Sequence, residues 1–266
     1  MGDWRSYDEI ANDYDRVWSA RFEAVARQIA ALMSSCTKDR LLDIGTGTGI
    51  VPATLSKVIG APRVSIGCDL SIGMLRQAKA RTPGLHVAVA NAISLPFGDE
   101  SFDIAAASFV LSHVRHYRQA LAEAHRVLKP SGVLAVSNWA SFSDPYSQAW
   151  SECLAEAITK TEVERALTEV APCETYFSQE WSLEAALIEA GFSVLRSDAL
   201  DLQFTLTVEQ FVEDREINSG GRLGRHLLGA GRWAKFHASV IDTFHTRFGA
   251  SVQYSRRSLI VIGRRP

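Results

Sequence analysis

Residues Leu41–Gly49 read LLDIGTGTG, and this stretch decides the fold. A short apolar run stopped by glycines at alternate positions is a buried strand entering a tight turn, and Ile50–Ile59 beyond it has helical spacing. Glycine lets the backbone turn sharply and brings a ligand against the main chain without Cβ interference. The free N–H groups at the start of the next helix then face whatever carries negative charge.

Working outward, strand and helix alternate at short intervals. Residues Arg21–Met33 carry apolar positions at helical spacing, 63–70 (RVSIGCDL) reads as a second strand, and 71–81 (SIGMLRQAKAR) as a helix with Ser71 at its N-cap. Residues 85–91 (LHVAVAN) form a third strand and 101–110 (SFDIAAASFV) a fourth. An amphipathic helix over 116–129 closes at Pro130-Ser131-Gly132 and leads to a fifth strand, GVLAVSNW. This alternation through Arg40–Trp139 predicts an α/β fold: right-handed crossovers, a parallel sheet coated by helices, and ligands at the carboxyl ends of the strands.

After Trp139 the rhythm changes. Residues 144–170 and 182–191 read as helical, 192–200 as a strand, and RRSLIVIGRR (256–265) as a last strand. Between these, 207–249 is a long, mostly helical insertion interrupted by Gly220-Gly221, Gly224, Gly229 and Gly231. It is too long for a connecting loop and reads as a cap over the sheet edge, with an oligomerisation arm as the alternative.

Composition narrows the function classes. The 266 residues hold 28 Lys and Arg against 30 Asp and Glu; with no basic-aromatic stripe, a nucleic-acid partner is not expected. Arg256, Arg257, Arg264 and Arg265 flank an apolar run and read as solvated strand ends. Cys36, Cys68, Cys153 and Cys173 are scattered without metal-ligand spacing, which suggests reduced thiols in a cytoplasmic protein and no metal site. The polar, acidic start (MGDWRSYDEIANDYDRVW) resembles neither a signal nor a transit peptide. No apolar run approaches the ~20 residues of a membrane span.

Two ligand classes use such a glycine loop: dinucleotides and S-adenosylmethionine. The dinucleotide fingerprint G-x-G-x-x-G/A requires a small third residue, and Ile50 stands there. Asp43, ahead of the glycines, suits a ligand with an ammonium group better than one with a pyrophosphate. Asp69, ending the second strand, can accept from both ribose hydroxyls of an adenosine and fits either class; alternatively it is an acid capping the next helix.

The series LLDIGTGTG, IGCDLSIGMLRQAKAR, ANAISLPFGDESFDIAAASFVLSHV and ALAEAHRVLKPSGVLAVSNW resembles the class I S-adenosylmethionine-dependent methyltransferases, in particular the branch acting on quinone rings and natural products. The likeness is good over Tyr7–Trp139 and weak over Phe192–Ser197 and the last strand. It implies a Rossmann-like, doubly wound seven-stranded sheet, mostly parallel with an antiparallel last strand, plus a helical cap. It also divides the chain into N-terminal helices over the cofactor (1–39), a cofactor-binding core (40–140), a helical substrate cap (141–180 and 205–250) and the last strand (251–266).

Roles follow from the same resemblance. Asp43 and the backbone of Gly45, Thr46, Gly47 and Gly49 would hold the methionine moiety, and Asp69 the ribose, with Leu70 and Met74 beside the adenine. Asn91, Ala92 and Ile93 would meet the adenine, although the family often has an acid where Asn91 stands. Ser108 and Phe109 would flank the sulfonium, while Tyr7 and Tyr14 close over the methionine carboxylate and the methyl, or else pack a helix on the sheet.

His113, just beyond the fourth strand, is the candidate general base, with Tyr14 a second catalytic candidate; a structural histidine is the plain alternative. Trp18, Phe22, Trp139, Tyr146, Tyr176 and Phe177 are candidate acceptor-pocket residues. Arg222, Arg225 and Arg232 either clamp an anionic acceptor or form a solvated helix face. The expected reaction is O-, N- or C-methylation of a small, partly apolar metabolite, converting S-adenosylmethionine to S-adenosylhomocysteine. An NAD(P)-dependent oxidoreductase and a non-catalytic cofactor-binding relative are the competing readings.

Overall fold

In the computed structural model, which describes residue 3, residues 5–34 and residues 39–266, the predicted strands assemble into one sheet. Cys36 lies outside the described residues. The seven strands are β1 (Arg40–Ile44), β2 (Val64–Asp69), β3 (His86–Val89), β4 (Phe102–Ser108), β5 (Leu128–Trp139), β6 (Ser193–Thr207) and β7 (Ser251–Arg264). Their order is β3-β2-β1-β4-β5-β7-β6. β1 to β5 pair parallel, and β7 runs antiparallel to both neighbours. The strand order reverses between β1 and β4, so the loops after these two strands open on one crevice, the switch point where such sheets bind ligands.

Helices coat both faces. On one side α1 (Ala11–Leu32) and α2 (Ile50–Ile59) bury Val25, Ile29 and Val51 on Leu41, Ile104, Val133 and Ile260. On the other, α4 (Tyr117–Val127) and α8 (Ser182–Glu189) bury Leu121, Ala124, Ala186 and Leu187 on Leu42, Leu134 and Val136. The strand residues in these two sets alternate, as a two-sided sheet requires. α3 (Ile72–Arg81) starts as expected, with the Ser71 hydroxyl accepting from the Met74 N–H at 3.1 Å.

A third core holds α5 (Pro145–Ala157), α6 (Lys160–Val170), α9 (Val208–Ile217) and α10 (Ser219–Phe248). Trp150, Phe211, Trp233, Phe236 and Phe244 meet there with Val252 and Tyr254. β7 keeps the span expected of the last strand, but β6 runs farther than the sequence suggested, paired with β7 as far as Thr207 and Ser251, so the insertion is a helical pair closing a long two-stranded ribbon. Of its glycines only Gly229 breaks the helix, at φ +68°. Gly221 instead brings α10 onto α9: a Cβ there would lie 2.3 Å from the Arg215 carbonyl.

Two expectations of solvated arginines are corrected. Arg222 is 7% exposed, because it reaches inward to the N-terminal segment. Arg256 is half-buried over the rings of Trp139 and Phe142, whereas Arg257, its neighbour on the strand, is exposed. Alternation along β7 sends the two to opposite faces.

Candidate functional site

A cavity of about 450 Å³ opens at the carboxyl ends of β1, β2 and β4. Its floor is the glycine loop. Gly45, Gly47 and Gly49 hold φ of +64°, +53° and +79°, values that other L-residues adopt only at a cost. A Cβ on Gly45 would strike Val110 at 2.4 Å and one on Gly49 would meet the Ala78 backbone at 2.9 Å, while Gly47 has nothing within 4 Å. Gly47 therefore faces open space.

Acidic groups stand along this floor. Asp43 is 1% exposed; its Oδ2 accepts from the Thr46 hydroxyl at 2.6 Å, and its Oδ1 has no partner. Gly67 in β2 makes room for that hydroxyl, since a Cβ there would lie 2.7 Å from Thr46 Oγ1. Burial pushes the Asp43 carboxyl up to about 7 despite the Thr46 bond. A desolvated carboxyl with an unpartnered oxygen is satisfied either by taking up a proton or by a bound cation. Asp69 accepts from the N–H groups of Gly47 and Ser71, each at 2.9 Å, and keeps lone pairs for further donors. Burial raises its pKa against those bonds.

The segment preceding α1 forms a lid over this floor. Asp8 Oδ1 accepts from the Ser71 hydroxyl at 2.7 Å and the Gly73 N–H at 2.8 Å. The backbone of Asp8 lies so close to Gly73 that a Cβ there would sit 2.4 Å from its carbonyl. Arg222 donates to the Ser6 carbonyl at 3.0 Å and covers the Tyr7 ring at 4.3 Å. Arg5 pairs with Glu169 at 2.6 Å across the rim. Replacing Asp8 by Ala is expected to release this segment from α3. The loss is about 1 kcal/mol or less for so exposed a group, roughly a fivefold weakening of cofactor binding. Calorimetry checks the affinity, and a thermal melt should show little change.

Of the predicted cofactor residues, the cavity wall includes Tyr7, Tyr14, Asp43, Gly45, Thr46, Gly47, Asp69, Leu70, Met74, Asn91, Ala92, Ser108 and Phe109, but not Gly49 or Ile93. Gly49 lies beneath the wall, where it packs α2 on α3. Ile93 donates its N–H to Asn91 Oδ1 at 3.2 Å. His113 lines the cavity and contacts Tyr7 edge-on at 6.4 Å. Its Nδ1 lies 3.0 Å from the Val170 carbonyl. A carbonyl only accepts, so Nδ1 is the donor of this bond, and in the neutral ring Nε2 carries the lone pair. Burial raises the Tyr14 phenol, which stays protonated at neutral pH, and its ring forms part of the cavity wall.

Among the acceptor-pocket candidates only Phe22 touches the cavity. Trp18 and Trp139 stand behind it, with ring centroids 5.6 and 6.4 Å away. Phe109 packs at 4.9 Å on Phe22 and 4.6 Å on Trp139; its φ of +58° is backbone strain of the kind that clusters at functional sites. Tyr146 instead packs in the cap on Phe211 and Phe248, and Tyr176 and Phe177 pack on Tyr117 across the sheet. Sequence reasoning passed over Asp8, Arg5, Glu169 and Val170, which bear on the site only through long-range contacts.

Residues 42–136 match a family model described as a methyltransferase domain. A demethylmenaquinone methyltransferase of Paenarthrobacter aurescens is 33% identical over 159 residues, 58% of this chain and 60% of that protein. The chain thus spans less than two thirds of that relative's length. A demethylmenaquinone methyltransferase of Streptomyces griseus is 30% identical over 197 residues, 71% of this chain and 82% of the relative. In fold, the chain resembles an S-adenosylmethionine-dependent methyltransferase from Thermotoga maritima, with a TM-score of 0.56 at 19% identity, over 99% of this chain and 100% of that one.

Proposed function

The chain belongs to the class I S-adenosylmethionine-dependent methyltransferases, and on that premise we propose that it methylates a small, partly apolar metabolite. The observation that carries the reading is Asp43: a buried carboxylate on the cavity wall with one oxygen unpartnered, which an ammonium group completes and a pyrophosphate would oppose. The remaining lone pairs of Asp69 suit the ribose hydroxyls, and open space at Gly47 lets the methionine backbone approach the main chain. Leu70, Met74, Asn91 and Ala92 offer an apolar slot with an amide edge for adenine.

When bound, S-adenosylmethionine supplies an electrophilic methyl on a sulfonium whose charge is lost in the reaction. The protein's task is placement. Tyr14, Phe22 and Phe109 put aromatic walls where a cation gains from ring faces, and holding the acceptor in line with the methyl can supply about 7–11 kcal/mol. His113, with its Nδ1 tied to Val170, turns Nε2 into the site's available base for an acceptor hydroxyl or amine. His113→Ala is therefore expected to lower turnover by about 10²–10⁴ while cofactor affinity changes little. Nearly unchanged turnover would sink the base role.

The reading is tested by calorimetry with S-adenosylmethionine, S-adenosylhomocysteine and NADH, followed by screening lysate metabolites for transfer of a labelled methyl. Binding of both methionine-derived ligands and labelling of a metabolite support it. Tight NADH binding with neither of the others bound overturns it.

A further inference from the structure

The His113 ring is oriented by the cap, although the chain that carries it leaves β4. His113 ends a single 3-10 turn, Leu111–His113, and its Nδ1 donates at 3.0 Å to the carbonyl of Val170, the last residue of α6. The chain beyond α6 stays beside that turn. The Cys173 N–H donates to the Ser112 carbonyl at 3.0 Å and the Cys173 thiol to the Val114 carbonyl at 3.5 Å, before α7 (Glu174–Phe177) begins. The last carbonyls of a helix lack intrahelical partners and carry the negative end of its dipole. An Nδ1–H donor satisfies one of them, and the same end favours the imidazolium formed when Nε2 takes a proton from an acceptor hydroxyl or amine.

The lid reaches this base by two routes, both on the cavity wall. Tyr7 meets the His113 ring edge-on, with 6.4 Å between centroids and 89° between planes; this contact bounds the ring without choosing between its nitrogens. Two residues earlier, Arg5 donates Nη2 and Nε to Glu169 Oε2 at 2.6 and 3.1 Å, and Glu169 immediately precedes Val170. Asp3 Oδ1 accepts from the Arg5 N–H at 3.0 Å and from Nη1 at 3.3 Å, which steadies the guanidinium from its own segment. The floor is linked to the lid as well: Asp69 accepts from the Ser71 N–H, and the Ser71 hydroxyl donates to Asp8. The Arg5–Glu169 pair is exposed at both ends, and exposed pairs are weak. Glu169 also feels the attraction of Arg165 and Arg115, so it keeps favourable surroundings when Arg5 withdraws. Such a pair biases a segment that must open for a ligand to enter; it does not lock it.

We infer that Arg5 and Glu169 are positioning residues: closing the lid over the cofactor draws the end of α6 onto His113 and sets the ring with Nδ1 protonated and Nε2 free to take the acceptor's proton. This rests on the methyltransferase reading and adds regulation to the same site, since the base is completed only once the methyl donor is in place. A ligand shifts such an equilibrium by its differential affinity for the two states. Here Ser6, Tyr7 and Asp8 line the cavity only while the lid is shut over the floor, so a ligand that touches both floor and lid favours closure.

The test reads the imidazole directly and needs no acceptor. Protein carrying isotope-labelled histidine is followed by NMR at about pH 8, where imidazole is ordinarily neutral, with and without saturating S-adenosylhomocysteine; His113→Asn identifies the His113 signals. The ligand should raise the ratio of Nδ1–H to Nε2–H tautomer at His113 by about two- to fivefold, the range that an exposed ion pair supplies. Glu169→Gln and Arg5→Met should each abolish that rise while leaving the thermal melt unchanged and weakening S-adenosylhomocysteine by no more than about fivefold. Arg5→Lys, which keeps the charge, should give a rise between those of the wild type and Arg5→Met. A His113 tautomer ratio that ignores the bound ligand, or a rise that survives either Glu169→Gln or Arg5→Met, overturns the inference. Failure of the unmutated protein to bind S-adenosylhomocysteine overturns the methyltransferase reading instead, so the two failures are distinguishable.

Discussion

Asp43→Asn is expected to weaken S-adenosylmethionine binding by about 10–100-fold, the worth of a charge-assisted hydrogen bond to a buried carboxylate. The unliganded protein should meanwhile become more stable at pH 8. The opposite signs share one cause. Burial holds the Asp43 carboxyl at about 7 in the folded chain, against an ordinary value near 4. A folded-state pKa raised in this way leaves stability intact below the unfolded value. Stability is then lost as pH rises from about 4 to about 7 and stays at the lower level above that. Asparagine cannot ionise, so urea denaturation should show the pH dependence over that window flattened in the variant.

Cofactor affinity should run the other way. An ammonium group favours the ionised carboxylate, so binding by the wild type should strengthen as pH rises from 5 to 7. It should weaken again once the ligand's own amino group, with a pKa of about 8, loses its proton. Asp43→Asn should lack the rising limb. An identical pH profile in wild type and variant would remove Asp43 from the ammonium site.

The floor of this site was legible because each of its residues stands at the end of a strand that can be read locally. Asp43, the three glycines and Asp69 end strands whose apolar runs are visible, and the sheet places adjacent strand ends together. What fastens the lid was not legible. Asp8 is one acid among several near the start of the chain, and it matters only because Gly73 admits its backbone. Tyr146, Tyr176 and Phe177 have the composition of a pocket but pack on helices distant in sequence. β6 did carry a signal past Leu200: Leu202, Phe204 and Leu206 alternate inward, the period of a strand. Arg256 and Arg257 look equivalent until the two-residue period of β7 is applied to them, which sends one inward and the other out.

The glycine loop gives the second large effect, and its positions should fail differently. At Gly49 an alanine meets both a φ of +79° and the Ala78 backbone at 2.9 Å. The conformation alone costs about 1–2 kcal/mol, and backbone of a packed helix cannot move aside as a side-chain tip can. Gly49→Ala should therefore lose several kcal/mol of stability, with cofactor binding falling as a consequence. At Gly47 an alanine meets only the strain of φ +53°, since nothing lies within 4 Å. Gly47→Ala should stay folded, with a melting temperature lowered by a few degrees, yet lose S-adenosylmethionine binding by more than about 100-fold, because its methyl group fills space the ligand needs and blocks approach to the main chain. Parallel thermal melts and titrations separate the two outcomes. A Gly47→Ala protein that binds the cofactor normally would show that the open space above the loop is not where the ligand lies.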